Sequence, residues 1–196
     1  VVYTCKEGEN HYKSKFTIWG FRYALVETEI NLSDAKFTSI AVYSKMEQLG
    51  TFTCSNEDVN QLVKNSIWSQ KSNFCDAPTD CPTRERAAWT GDMGVFADTG
   101  IYLEDCYPVI RKWLDECRIN QYEDGKVANI APKNNNPSFF SKLLAGSVGW
   151  GDACIIVPYV LYKRYQDKRI LEENYEMMQK WYHFLEERAK QKPKNP

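Results

Sequence analysis

ACIIVPYVLYKRYQDKRILEENYEMMQKWYHFL, residues 153–185, reads as two helices joined by a short link, and that reading decides the fold class. Its first half is apolar almost all round, which suits a helix buried between other layers. The second half starts near Asp167 or Ile170 and runs to Ala189. It sets Leu171, Tyr175, Met178, Trp181, Tyr182 and Leu185 at helical spacing. Two helices joined this closely pack as an antiparallel hairpin.

The same period extends upstream. Val59, Leu62, Val63 and Ile67 recur on one face of a helix over 57–73, opened by Ser55 with Asp58 three residues later in capping-box spacing. A second helix starts after Gly91 and reaches about Leu103. A third carries Val109, Ile110, Trp113, Leu114 and Cys117, with Pro108 in its first turn, where a missing N–H costs little. Helices that follow one another without βαβ alternation predict a mainly α chain of two or three hairpins. Long connections at 75–91 and 120–150 fall on the same face if the array runs up and down. The second holds NQYEDGKVANIAPKNNNPSFF and then GSVGWGDA, and a loop of roughly thirty residues is uncommon in a compact helical region and usually functional or disordered. By contrast FTIWGFRYALVETEINL and FTSIAVYS, within residues 1–50, are rich in β-branched and aromatic types and predict strands at the end of an antiparallel β-domain, ahead of a helical domain over 51–196. KQKPKNP closes the sequence without a packing signal.

Composition narrows the function. At 43% hydrophobic and 14% aromatic, the chain has enough apolar material for a packed core. Lysine plus arginine (25) nearly cancels aspartate plus glutamate (26), so no long-range field draws a nucleic acid. No apolar run is long enough for a membrane helix. The first residues, VVYTCKEGENHYKSKF, lack Met and the pattern of a signal peptide, which reads as a piece of a longer chain. Cys5, Cys54, Cys75, Cys81, Cys106, Cys117 and Cys154 form no CxxC pair, and two histidines, His11 and His183, accompany them. That set predicts reduced, buried thiols in a reducing, cytoplasmic setting, with no metal site and no cofactor.

The chemistry concentrates in DCPTRERAAWTGD, residues 80–92. One reading is a solvated loop in which Arg84 and Arg86 pair with Asp80, Glu85 and Asp92, each exposed pair contributing about 0–1 kcal/mol. Three features oppose it: Pro78 and Pro82 stiffen the approach, Trp89 gains nothing from solvent, and Gly91-Asp92 reads as a helix entry. Carboxylates beside an indole and an arginine suit a sugar site, where one carboxyl is protonated and donates to a leaving oxygen. Asp80 and Asp92 would raise the Glu85 pKa, whereas Arg84 and Arg86 would lower it. GWGDA, 149–153, repeats the aromatic–acid pairing around Trp150; a turn holding a core tryptophan is the competing reading.

GFRY (20–23), CSNEDVNQL, WSQKSNF, DAPTDCPTRERAAWTGD, DGKVANIAP and GWGDACIIVPYVLYKRYQD together resemble, in order and spacing, the catalytic region of bacterial α-L-rhamnosidases of glycoside hydrolase family 78. The resemblance implies a β-domain followed by the first hairpins of an incomplete (α/α)6 barrel. It implies that Glu85 is the general acid of an inverting hydrolysis of terminal α-L-rhamnose. Asp80 and Asp92 would bind hydroxyls, Arg84 would hold the Asp80 carboxylate and the sugar, and Trp89 and Trp150 would wall the subsite. Many members read RDER where this chain reads RER, which shortens the Asp80-to-Glu85 spacing by one. The family's base lies later in the barrel and matches no residue here. The implied partner is therefore a rhamnose-containing glycoside or polysaccharide, with the chain alone inactive. A non-catalytic carbohydrate-binding module and a six-hairpin glycosidase for another sugar are the rival readings.

Overall fold

A computed structural model of the chain describes residues 1–133 and 144–191. NNNPSFF and most of KQKPKNP, singled out in the sequence, lie outside the described residues. Helix α1 (Glu57–Asn73) is followed by a minimal antiparallel pair, β1 (Phe74–Cys75) and β2 (Ala77–Pro78), turned at Asp76. Then come α2 (Thr90–Leu103), α3 (Tyr107–Ile119), the single turn α4 (Val148–Gly151), α5 (Ala153–Tyr165) and α6 (Arg169–Lys190).

The helix ends show why the chain breaks where it does. Asn56, not Ser55, caps α1: its side-chain oxygen accepts the N–H groups of Asp58 and Val59 at 3.0 and 3.3 Å. Both residue types cap well, so a sequence window fixes the cap only to within a residue. The stripe read on α1 is not core within the described residues, with Leu62 63% exposed; Asn60 and Gln70 are the buried side chains. Pro108 sits in the first turn of α3, whose Ile110, Trp113, Leu114 and Cys117 are buried as the spacing predicts. Between α5 and α6, Gln166 takes a left-handed φ of 55° and returns its N–H to the Tyr162 carbonyl. Asp167 in that link accepts from the Tyr107 hydroxyl, pinning the hairpin to the start of α3.

Helix α5 packs between α2 and α6. Its inner side, Ala153, Cys154, Val157, Pro158 and Leu161, is buried, whereas Ile155, Ile156 and Tyr159 are exposed, so the helix is covered on one side rather than all round. Trp113 and Trp181 are fully buried and anchor the core; side chains of this size bury upward of about 150 Å² each. Burial also pushes the Cys106 thiol up to about 12 and raises those of Cys117 and Cys154.

Residues 1–50 correct one expectation: among the described residues they form no strand, and apart from one isolated bridge, Gln48 with Glu104, they meet the rest of the chain through scattered bonds such as Ser44 N–H to the Phe74 carbonyl and Asp105 N–H to the Glu47 carbonyl. A strand exists only through a ladder partner, and alternation alone provides none. Phe16, Tyr23 and Leu25 accordingly remain exposed.

The two long connections do meet on one face. Thr90 N–H donates to the Asn129 carbonyl at 2.8 Å and Ala131 N–H to the Ala88 carbonyl at 3.0 Å, with Trp89 and Ile130 bridged antiparallel. The fully buried Thr90 hydroxyl lies 3.3 and 3.2 Å from the Ala128 and Asn129 carbonyls, and Trp113 Nε1 donates to the Ala131 carbonyl at 2.9 Å. Thr90→Val keeps the shape and removes this hydroxyl bond. The expected loss is about 1 kcal/mol, read as a lower urea midpoint at unchanged slope.

Candidate functional site

The stitched connections place their charged and aromatic residues at the N-terminal ends of α2 and α4. The 80–87 loop closes on itself: Asp80 N–H donates to the Ala87 carbonyl, and Ala87 N–H donates to Asp80 Oδ1, both at 3.0 Å. Inside this ring Glu85 N–H points at Cys81 Sγ, 3.2 Å away. Partial burial opposes ionisation of Asp80, but hydrogen bonds from the Cys81 thiol and the Ala87 backbone outweigh it and hold the carboxyl below its usual range.

Glu85 and Trp89, four residues apart, are joined by Trp89 Nε1 donating to Glu85 Oε2 at 2.8 Å. Trp89 also meets the Trp150 ring edge-on, with centroids 6.5 Å apart at 64°. Trp150 in turn lies over the first turn of α2. A Cβ at Gly91 would fall 2.9 Å from Trp150 Cδ1, so only a glycine leaves room for the ring there. Behind it, Trp181 Nε1 donates to Asp152 Oδ1 at 3.1 Å, and the Trp181 ring fills the space a side chain on Gly151 would need. The core tryptophan is Trp181, while Trp150, at 41% exposure, is a surface wall.

Asp80, Asp92 and Trp150 share one cleft of about 530 Å³, together with Ser69, Asn73, Thr79, Met93 and Phe96. Its mix of hydroxyl, amide, carboxylate and ring matches what a sugar requires. Asp92 lies in the first turn of α2, which Trp89 precedes as the capping residue without a side-chain cap bond. Burial lifts the Asp92 carboxyl above its usual range, and the negative charges of Asp80 and Glu85 add to the lift.

Arg84 is exposed and, among the described residues, forms no hydrogen bond or ion pair; Asp80 is held by Ala87 and Cys81 instead. Nor does Arg86 pair with an acid: its Nη1 donates to the Ile18 carbonyl at 3.0 Å. The solvated salt-bridge loop therefore does not form among the described residues. Glu85, Trp89 and Arg84 do not line the cleft; Trp89 adjoins it through the Trp150 ring, and Glu85 through its bond to Trp89. The sequence leaves Cys81 and Asp152 unassigned at the site and points Arg86 and Gly91 to other roles, a partner of the acids and a helix entry. Cys81 and Gly91 carry a signal only in their place beside Asp80 and Asp92; Arg86 and Asp152 act through partners 68 and 29 residues away.

Comparison with known proteins gives a consistent answer. The profile of the bacterial alpha-L-rhamnosidase 6 hairpin glycosidase domain matches residues 47–195. An alpha-L-rhamnosidase of Formosa agariphila is 40% identical over 184 residues, covering 90% of this chain and 19% of its own length. One from Streptomyces avermitilis is 36% identical over 195 residues, covering 96% and 18%. Among solved structures, a Streptomyces avermitilis alpha-L-rhamnosidase complexed with L-rhamnose superposes with a TM-score of 0.69 at 34% identity, over 74% of this chain and 14% of that one. The Aspergillus terreus enzyme gives 0.68 at 35% identity, over 76% and 18%. The chain spans about a fifth of the length of the curated relatives it matches.

Carboxyl carbon NMR checks the electrostatics. With rising pH, Asp80 is expected to ionise first and Asp92 last of the two, and Asp80→Asn lowers the Asp92 midpoint by removing a negative neighbour. By linkage, Asp80 stabilises the fold above its unfolded pKa and loses this as pH falls through its folded one. Asp92 does the reverse, its contribution fading as pH rises through its raised value.

Proposed function

The chain belongs to the bacterial α-L-rhamnosidase six-hairpin glycosidase family, and from that membership we propose that it supplies the acid half of an enzyme releasing terminal α-L-rhamnose from rhamnosides. Residues 51–196 are assigned to the first part of an (α/α)6 barrel, and residues 1–50 to the end of a preceding β-domain. The observation that carries the reading is the Glu85–Trp89 pair set against Trp150, which lines the cleft together with Asp80 and Asp92.

Chemical roles follow from what each group can donate. An indole N–H is a donor only, so beside a protonated Glu85 it pairs with the carbonyl oxygen, Oε2, and leaves the proton on Oε1. That proton passes to the glycosidic oxygen as the bond to the anomeric carbon breaks, and the bonding pair stays on the leaving oxygen. A water attacks from the opposite face and gives its proton to a second carboxylate, ~6.5 to 9.5 Å from the first in an inverting site. We assign that base to a part of the barrel outside this chain, so the chain alone binds rhamnose weakly and turns it over poorly. Asp80, held ionised by its ring of hydrogen bonds, accepts from sugar hydroxyls, as does Asp92. Arg84, without a protein partner among the described residues, is free to donate to the sugar. Trp89 and Trp150 supply apolar ring faces. The rhamnose in a related solved structure supports this choice of sugar.

Kinetics on the complete enzyme test the proposal. Glu85→Gln keeps an acceptor for Trp89 yet cannot donate a proton, and is expected to lose about 10²- to 10⁴-fold in turnover of an alkyl α-L-rhamnoside while still binding rhamnose. Undiminished turnover would remove Glu85 from the role. Trp89→Ala is expected to weaken rhamnose binding with the fold intact. A wild-type enzyme inert toward every rhamnoside in a panel of aryl glycosides would favour the binding-module reading.

A further inference from the structure

We infer that Ile18–Gly20, far upstream of the helical array, is a working part of the site: it buttresses the loop that carries Glu85, with Arg86 as the positioning residue. The inference rests on Glu85 being the general acid.

Two contacts flank Glu85. On one side the Gly20 backbone lies directly on the loop, where a Cβ would fall 2.6 Å from both the Pro82 carbonyl oxygen and Thr83 Cγ2. On the other, Arg86 Nη1 donates to the Ile18 carbonyl at 3.0 Å. Arg86 takes a φ of 50°, in the left-handed region that a residue with a Cβ disfavours. Between these struts, Thr83, Arg84, Glu85 and Arg86 are all exposed. The base of the loop is fixed by the Asp80–Ala87 bonds, and its middle by the contact of Glu85 N–H with Cys81 Sγ. Release of the struts therefore loosens residues 82–86, leaving Glu85 held only by Cys81 Sγ and the Trp89 indole, while Asp80 and the cleft behind it stay in place. The acid then loses its aim, and the sugar keeps its grip.

That division makes the proposal measurable, because protonation of the leaving group matters only when the leaving group is poor. In the complete enzyme, Gly20→Ala and Arg86→Ala are compared on an alkyl α-L-rhamnoside and on a dinitrophenyl α-L-rhamnoside, whose aglycone departs without a proton. The expected result is a loss of at least about tenfold in kcat on the alkyl substrate, with roughly threefold or less on the dinitrophenyl substrate and on KM. Arg86→Lys, which keeps one donor, recovers part of the loss. Equal losses on both substrates, or none on either, overturn the buttress. Glu85→Gln, run alongside, separates this from the parent reading: if it lacks the same leaving-group selectivity, the acid assignment fails and the buttress with it. Should Gly20→Ala not fold, Arg86→Ala decides alone, since it keeps the Cβ and the backbone preference of the original residue and removes only an exposed side chain.

Discussion

Everything at the cleft depends on a short antiparallel exchange between residues 88–90 and 128–131. Neither connection has a helical ladder to satisfy its backbone, and buried backbone groups left unpaired are costly. By pairing with each other they satisfy Thr90, Ala131 and the carbonyls opposite them, and the Thr90 hydroxyl and the Trp113 indole take up further carbonyls. Trp113 belongs to α3 and Thr90 begins α2, so two successive helices hold both loops from beneath. The rings of Trp89 and Trp150 and the carboxyls of Asp80 and Asp92 inherit their positions from that seam.

Electrostatically, the site separates three nearby carboxyls by giving each a different surrounding. Asp80 is stabilised as an anion by donors of its own loop, while Asp92 is pushed toward the neutral form by burial and by its two acidic neighbours. Glu85 stands outside the cleft wall with an indole N–H as its partner. Like charges in one place cannot all remain ionised without cost, and an unequal distribution of donors and burial sets the Asp80 and Asp92 carboxyls apart.

The helices were legible because a 3.6-residue period survives in any window long enough to contain three turns. The predicted span of α1 is the one observed, and that of α3 follows its apolar stripe, whereas α6 buries Ile170, Asn174, Met177 and Trp181, so that of the stripe read there Trp181 alone is fully buried while Tyr175 and Tyr182 are exposed. What misled was information that depends on a partner. Residues 16–44 alternate like strands yet find no ladder, and the stripe of α1 has no cover among the described residues. Trp150 and Trp181 both sit in apolar company, and only packing reveals that the second is core and the first a wall. The acids, the indole and their proximity in the motif could be read directly. Arg86 could not, since nothing in its neighbourhood points to a carbonyl 68 residues earlier.

The bare α-carbon of Gly91 under the Trp150 indole works as a shim of zero thickness. The ring's height above the end of α2 is set by main chain, not by another side chain that could swing aside. The width of the slot is consequently a property of the scaffold, uncoupled from the polar side chains that line the cleft. Evolution or an engineer wishing to admit a bulkier ring would find the adjusting screw beneath the wall, one residue away from the carboxyl of Asp92.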